Sequence, residues 1–175
     1  DKIQRCEKFR DKRKEKYVMN YHNITKDDML NGDGLRVVLW VSGCSHQCKG
    51  CHNPETWDCK SGVSFDRYAT QEIYDELNKD YISGITFSGG DPLHDSNKNV
   101  IFDFIQDIKN EYPTKTIWLY TGYTEEEINN DVIMSSIKLM CDVIVTGRFI
   151  QELADQNYQW AGSTNQKILR KGKDY

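Results

Sequence analysis

From Leu35 onward, short apolar runs alternate with segments whose apolar residues recur every three or four positions. LRVVLWVS (35–42) is apolar on both faces and rich in β-branched residues, which reads as a buried strand. Thr70 stands where it can N-cap a helix whose Ile73, Tyr74 and Leu77 share one face. ITFS (85–88) is the next strand, ended by Gly89-Gly90. Asp95 or Ser96 can cap a longer helix with Val100, Ile101, Phe104, Ile105 and Ile108 on one stripe, stopped by Pro113. IWLYT (117–121) is a third strand, and Thr124 with Glu127 forms a capping-box pair opening a helix that runs to about Met134 or beyond. VIVT (143–146) is a fourth strand.

Buried strands alternating with amphipathic helices predict βαβ units, a mainly parallel sheet and right-handed crossovers. The fold class is therefore α/β. In such sheets ligands bind beyond the carboxyl ends of the strands. The cysteine-rich loop after residue 42, the Gly89-Gly90-Asp91-Pro92 turn and Thr121-Gly122-Tyr123 each follow a strand, so they should meet on one edge. The 175-residue length suits one domain. A complete (βα)8 barrel takes about 250 residues, so this chain has room for four to six units. Residues 1–18 carry eight basic and four acidic side chains and few apolar ones, and read as a peripheral charged extension. Residues 19–175 form the domain proper.

A net charge of −4 offers no bulk attraction for nucleic acid or an anionic membrane. No run approaches the roughly 20 apolar residues of a membrane span, and no signal-peptide pattern is present. Of the six cysteines, Cys44, Cys48 and Cys51 fall within eight residues. Without an export signal, such a group ligates metal more readily than it forms disulfides, which points to the cytoplasm. Cys59 and Cys141 read as buried structural thiols, and Cys6 as incidental.

The spacing C-x3-C-x2-C brings three thiolates to one soft metal centre without settling which metal. Zinc needs a fourth ligand, which His46, His52 or Cys59 can supply. An iron–sulfur cluster usually takes four cysteines, so three leave one iron open to a substrate. Unligated core thiols are the remaining reading. Ser88-Gly89-Gly90-Asp91-Pro92 is by itself a turn; after a parallel strand, its two glycines also let a ligand approach the backbone closely.

The triad together with Gly89-Gly90-Asp91-Pro92 resembles the radical S-adenosylmethionine (SAM) superfamily. The fuller set of segments resembles the anaerobic ribonucleoside-triphosphate reductase activating proteins within it. The matching segments are Met19-Asn20-Tyr21, Asn31-Gly32-Asp33-Gly34, GCSHQCKGCHNPETW (43–57), SGGDPLH (88–94), IWLYTGY (117–123), DVIVTGRF (142–149) and WAGSTNQ (160–166). They span Met19 to about Leu169. Gly50 stands where radical SAM loops commonly have an aromatic residue, as it does in the activating proteins, and Thr146 stands where the family usually has Asp.

The resemblance implies an incomplete (βα) barrel and a [4Fe–4S] cluster held by Cys44, Cys48 and Cys51, with SAM on the fourth iron. The adenine and ribose of SAM would lie near Gly50, Cys51 and His52, and its ammonium near Gly89, Gly90 and Asp91. No catalytic residue is implied beyond these ligands. An electron from a flavodoxin-type donor would cleave SAM to methionine and a 5′-deoxyadenosyl radical. That radical would take hydrogen from a glycine of the large reductase subunit, leaving a glycyl radical there. The partners implied are that subunit and the electron donor, in a homodimer or a heterotetramer with the reductase, with no nucleic acid and no membrane.

An open side of the barrel would admit the glycine loop. Thr121 and Tyr123 can line the adenosyl pocket or simply end a strand. Trp57 reads as core, Trp160 as core or interface, and Gly162, Ser163, Asn165 and Gln166 as a ligand-facing loop or a surface turn. Competing functions are a zinc-binding interaction module, an activase of pyruvate formate-lyase, and a small-molecule radical SAM enzyme.

Overall fold

The computed structural model describes residues 18–175, so Cys6 and nearly all of the charged segment 1–18 lie outside the described residues. In chain order, β1 (Asn20–Asp28) leads into β2 (Leu35–Val41), and the short β3 (Val63–Ser64) follows the cysteine loop. Next come α1 (Arg67–Leu77), β4 (Ile82–Gly89), α2 (Lys98–Glu111) and β5 (Thr116–Tyr120). Two short helices, α3 (Glu125–Asn129) and α4 (Val132–Met140), then lead to β6 (Val143–Thr146) and β7 (Lys167–Arg170).

The strands form one seven-stranded sheet in the order β3-β1-β2-β4-β5-β6-β7. β2, β4, β5 and β6 are mutually parallel, as their unbroken apolar sequences require. β1, β3 and β7 add antiparallel edges that the hydrophobic pattern does not announce. The architecture is thus α/β with a mixed sheet.

Side chains alternate across a strand, so each central strand serves two environments. Val37, Leu39, Ile85, Phe87, Ile117, Leu119 and Ile144 join the main apolar core with Ile73 and Leu77 of α1, Phe104 and Ile105 of α2, and Ile137 of α4. On the opposite face stand Val38, Thr86 and Trp118, followed toward the carboxyl ends by Trp40, Ser88 and Tyr120, which line a cavity. At the amino-terminal end of this face lies Arg36, fully buried. Its guanidinium donates to Thr86 Oγ1, Thr116 Oγ1 and the carbonyls of Asp33, Ile85 and Thr116, and it stacks near Trp118. Burial lowers the Arg36 pKa to about 10, opposed by the nearby carboxylates, Asp33 foremost.

Several helix boundaries differ from the sequence reading for local reasons. α1 is capped by Asp66, whose carboxylate accepts from Tyr68 and Ala69 N–H, while Thr70 lies inside the helix and donates back to the Asp66 carbonyl. α2 starts after Asn97 rather than Asp95 or Ser96, and the Asn97 amide donates to the Ser42 and Asp91 carbonyls instead of capping. Thr124 and Glu127 do form a capping box. The helix they open ends at Asn129, because Asp131 caps a second one through Ile133 and Met134 N–H.

Candidate functional site

Each parallel strand releases a loop at its carboxyl end, and the loops surround one cavity of about 700 Å³. Cys44, Cys48, Cys51 and His52 line it after β2, Gly89 to Asp91 after β4, Thr121 and Gly122 after β5, and Gly147 and Phe149 after β6. The meeting of strand-end loops expected from the sequence is therefore observed. Gly162 and Gln166 of the polar run, and Trp160, close another wall. Trp160 packs edge-on to Trp118, with ring centroids 5.6 Å apart. Met29 and Leu30 lie exposed at the rim.

Backbone bonds fix the root of the cysteine loop. Gly43 N–H donates to the Thr56 carbonyl (2.7 Å), Cys44 N–H to Trp57 (3.0 Å) and Asp91 N–H to Gly43 (2.7 Å). A Cβ on Gly90 would lie 2.6 Å from the Gly43 carbonyl oxygen, so only glycine lets the two loops touch there. Trp57 is half-buried rather than core, and its Nε1 is buried without a hydrogen-bond partner among the described residues.

The three triad thiols are free and half-buried. Burial pushes the Cys44 thiol up to about 11, and the neighbouring Asp91, Cys48 and Cys51 add to this against the opposing effect of a backbone bond from His46. Loading a metal at neutral pH therefore displaces a proton from Cys44. Asn53 N–H reaches Cys51 Sγ at 3.4 Å, the kind of bond that stabilises a metal-bound thiolate. Three soft thiol donors lining one cavity fit an iron–sulfur cluster.

Other predicted residues divide. Gly50 turns the loop with φ +73° against Gln151 and does not line the cavity. His52 packs against Phe149, centroids 5.1 Å apart. Cys141 is buried as expected, but Cys59 is exposed, because it rides on a surface turn that Asp58 closes by binding Lys60 and Ser61. Thr146 ends β6 buried, with its hydroxyl 3.5 Å from the Lys167 carbonyl.

The Asp91 carboxylate is almost wholly occupied. It accepts from Leu93 N–H (2.9 Å), Thr121 Oγ1 (2.9 and 3.0 Å), Gly122 N–H (2.9 Å) and His46 Nε2 (2.7 Å). The sequence offered His46 only as a zinc ligand. Its ligand atom does lie within 4.8 Å of those of Cys44 and Asp91, but Nε2 is already bonded to the carboxylate.

Residues 30–169 match the model of a 4Fe-4S single cluster domain. Over 154 residues the chain is 43% identical to the anaerobic ribonucleoside-triphosphate reductase-activating protein of Haemophilus influenzae, covering 87% of this chain and 98% of that one. The Escherichia coli K12 protein of the same name is 41% identical over 152 residues, covering 86% and 97%. That of Enterobacteria phage T4 is 39% identical over 150 residues, covering 86% and 93%. The chain belongs to the anaerobic ribonucleoside-triphosphate reductase-activating protein family. The match to a 4Fe-4S domain favours iron–sulfur chemistry over a zinc module. No helix among the described residues is long and apolar enough to cross a membrane.

Proposed function

We propose that this protein activates an anaerobic ribonucleoside-triphosphate reductase in the cytoplasm by installing a glycyl radical on its large subunit. The observation that carries this reading is the convergence of Cys44, Cys48 and Cys51 with Gly89 and Gly90 on one cavity at the carboxyl ends of parallel strands. Residues 19–175 act as a single radical SAM domain, with the sheet as an incomplete barrel whose inner face carries the cavity. Cys44, Cys48 and Cys51 hold a [4Fe–4S] cluster. The Gly89–Gly90 turn receives the amino-acid end of SAM, and Cys51 and His52 flank its adenosine. When bound, the reduced cluster and SAM supply the one-electron cleavage and the 5′-deoxyadenosyl radical.

The chain's own part is to bind, orient and keep water out. Among the described residues, no Lys or Arg lines the cavity, whose polar side chains include Asn31, Asn53, Gln156, Gln159 and Gln166. A nucleoside triphosphate would find no cation there, whereas a zwitterion and a peptide segment find amides to pair with. This favours a protein substrate over a nucleotide. The relatives' names supply the partner, and a flavodoxin-type protein is the proposed electron donor.

The test is anaerobic reconstitution with iron and sulfide, followed by dithionite, SAM and the large reductase subunit. The expected result is 5′-deoxyadenosine together with a glycyl radical signal on the reductase. Nucleoside without that signal would retain the chemistry and reject the partner. A colourless protein with one zinc would reject both.

A further inference from the structure

The cysteine loop is anchored at its root, yet residues 45–50 have no regular secondary structure and turn through Gln47 at φ +49°, a conformation costly for a side-chain-bearing residue. One tie of this stretch is the Lys49–Glu152 ion pair, whose side chains are 79% and 66% exposed; such pairs contribute little. The His46 side chain makes a different kind of tie. It is 5% exposed, its partner Asp91 is 1% exposed, and Nε2 to Oδ2 is 2.7 Å. Through Asp91 the bond continues to Thr121 and Gly122, so one carboxylate joins the loops after β2, β4 and β5. Tyr123 packs edge-on to the imidazole at 4.6 Å. Gly122 makes room for the ring, since a Cβ there would lie 2.3 Å from His46 Cδ2.

We infer that His46 and Asp91 form a positioning clamp that sets the Cys44–Cys51 loop against the Gly89–Gly90 turn, with Asp91 acting through His46 rather than by contacting SAM. The inference rests on the function proposed above. A ligand that chelates an iron on one loop while bonding backbone on another senses the spacing between them. A misplacement of about 1 Å at such a junction can cost about 100-fold. The Asp91 carboxylate has the donors it needs from the protein, so recruiting it to an ammonium would break bonds already made.

The test uses the full chain, anaerobically reconstituted, comparing the parent with His46→Leu, Asp91→Asn, the double variant, Gly122→Ala and His46→Gln. Three quantities are read: iron per chain, the electron paramagnetic resonance spectrum of the reduced cluster, and the SAM concentration that half-shifts that spectrum. His46→Leu and Gly122→Ala are expected to keep parental iron and raise the half-shift concentration about 10- to 100-fold. Adding Asp91→Asn to His46→Leu is expected to cost less than Asp91→Asn costs alone, because the shared bond is already gone and only the Asp91 bonds to Thr121, Gly122 and Leu93 are left to lose. His46→Gln, which keeps an N–H donor, is expected to recover most of the affinity.

A parental titration for His46→Leu overturns the clamp, and additive losses in the double variant restore Asp91 as a direct SAM contact. Should His46→Leu fail to hold iron, the clamp stands only if His46→Gln holds iron and titrates like the parent. A parent whose spectrum ignores SAM overturns the proposed function itself, a different result from any of these.

Discussion

Identical residue types on this chain have opposite fates according to what surrounds them. Cys141 lies at 0% exposure, and burial pushes its thiol up to about 12, so it remains a neutral apolar side chain. Cys59 stands in solvent on its turn, and Cys44, Cys48 and Cys51 share a cavity wall. We expect Cys59→Ser to keep the parental iron content, and Cys44→Ala, Cys48→Ala or Cys51→Ala each to lose most of it, measured as iron per chain after anaerobic reconstitution. Equal loss in Cys59→Ser would instead make Cys59 a fourth ligand. The grouping of Cys44, Cys48 and Cys51 was legible from their spacing, whereas Gly89 and Gly90 by themselves read as a turn and gained from their place after a strand. The pairing of His46 with Asp91 was not legible, because residues 45 apart carry no local signal of a shared bond.

At the scale of elements, local chemistry was legible where it was complete. The Thr124–Glu127 box is confirmed, with the further feature that Arg148 holds Glu127 in a two-pronged ion pair at 2.7 and 2.8 Å. That pair and the backbone bond at Thr124 lower the Glu127 carboxyl to about 2. Because the folded pKa is depressed, the stabilisation is full above the ordinary carboxyl range and is lost as pH falls through it toward about 2. Glu127→Gln should therefore melt below the parent at pH 7, by about 0.5 kcal/mol for so exposed a pair. The difference should shrink as pH falls below the ordinary carboxyl range and close only near about pH 2, as followed by thermal denaturation. A gap that stays undiminished down to about pH 2 would mean that packing, not charge, holds this corner. β1 was missed for the converse reason. Its sequence NYHNITKDD is largely polar, and its place at the flank is decided by pairing with β2, a long-range partner.

Across the whole molecule, the apolar core and the site occupy different layers. The core joins the helices to one sheet face, and none of the triad cysteines belongs to it. Stripping iron from the reconstituted protein with a chelator should therefore speed amide hydrogen exchange in the loops 43–57, 89–94 and 121–123. The amides of β2, β4 and β5 should stay protected. General loss of protection would show that the cluster supports the fold rather than resting on it. By itself the sequence determined the four parallel strands, the helices between them and the grouping of three cysteines in one loop, because periodicity and residue spacing act over a few neighbouring residues. Only the tertiary structure decided the antiparallel edges, the exposure of Cys59, the half-burial of Trp57 and the joining of three loops through Asp91. Those depend on contacts between distant segments, whose geometry exists only once the sheet has assembled.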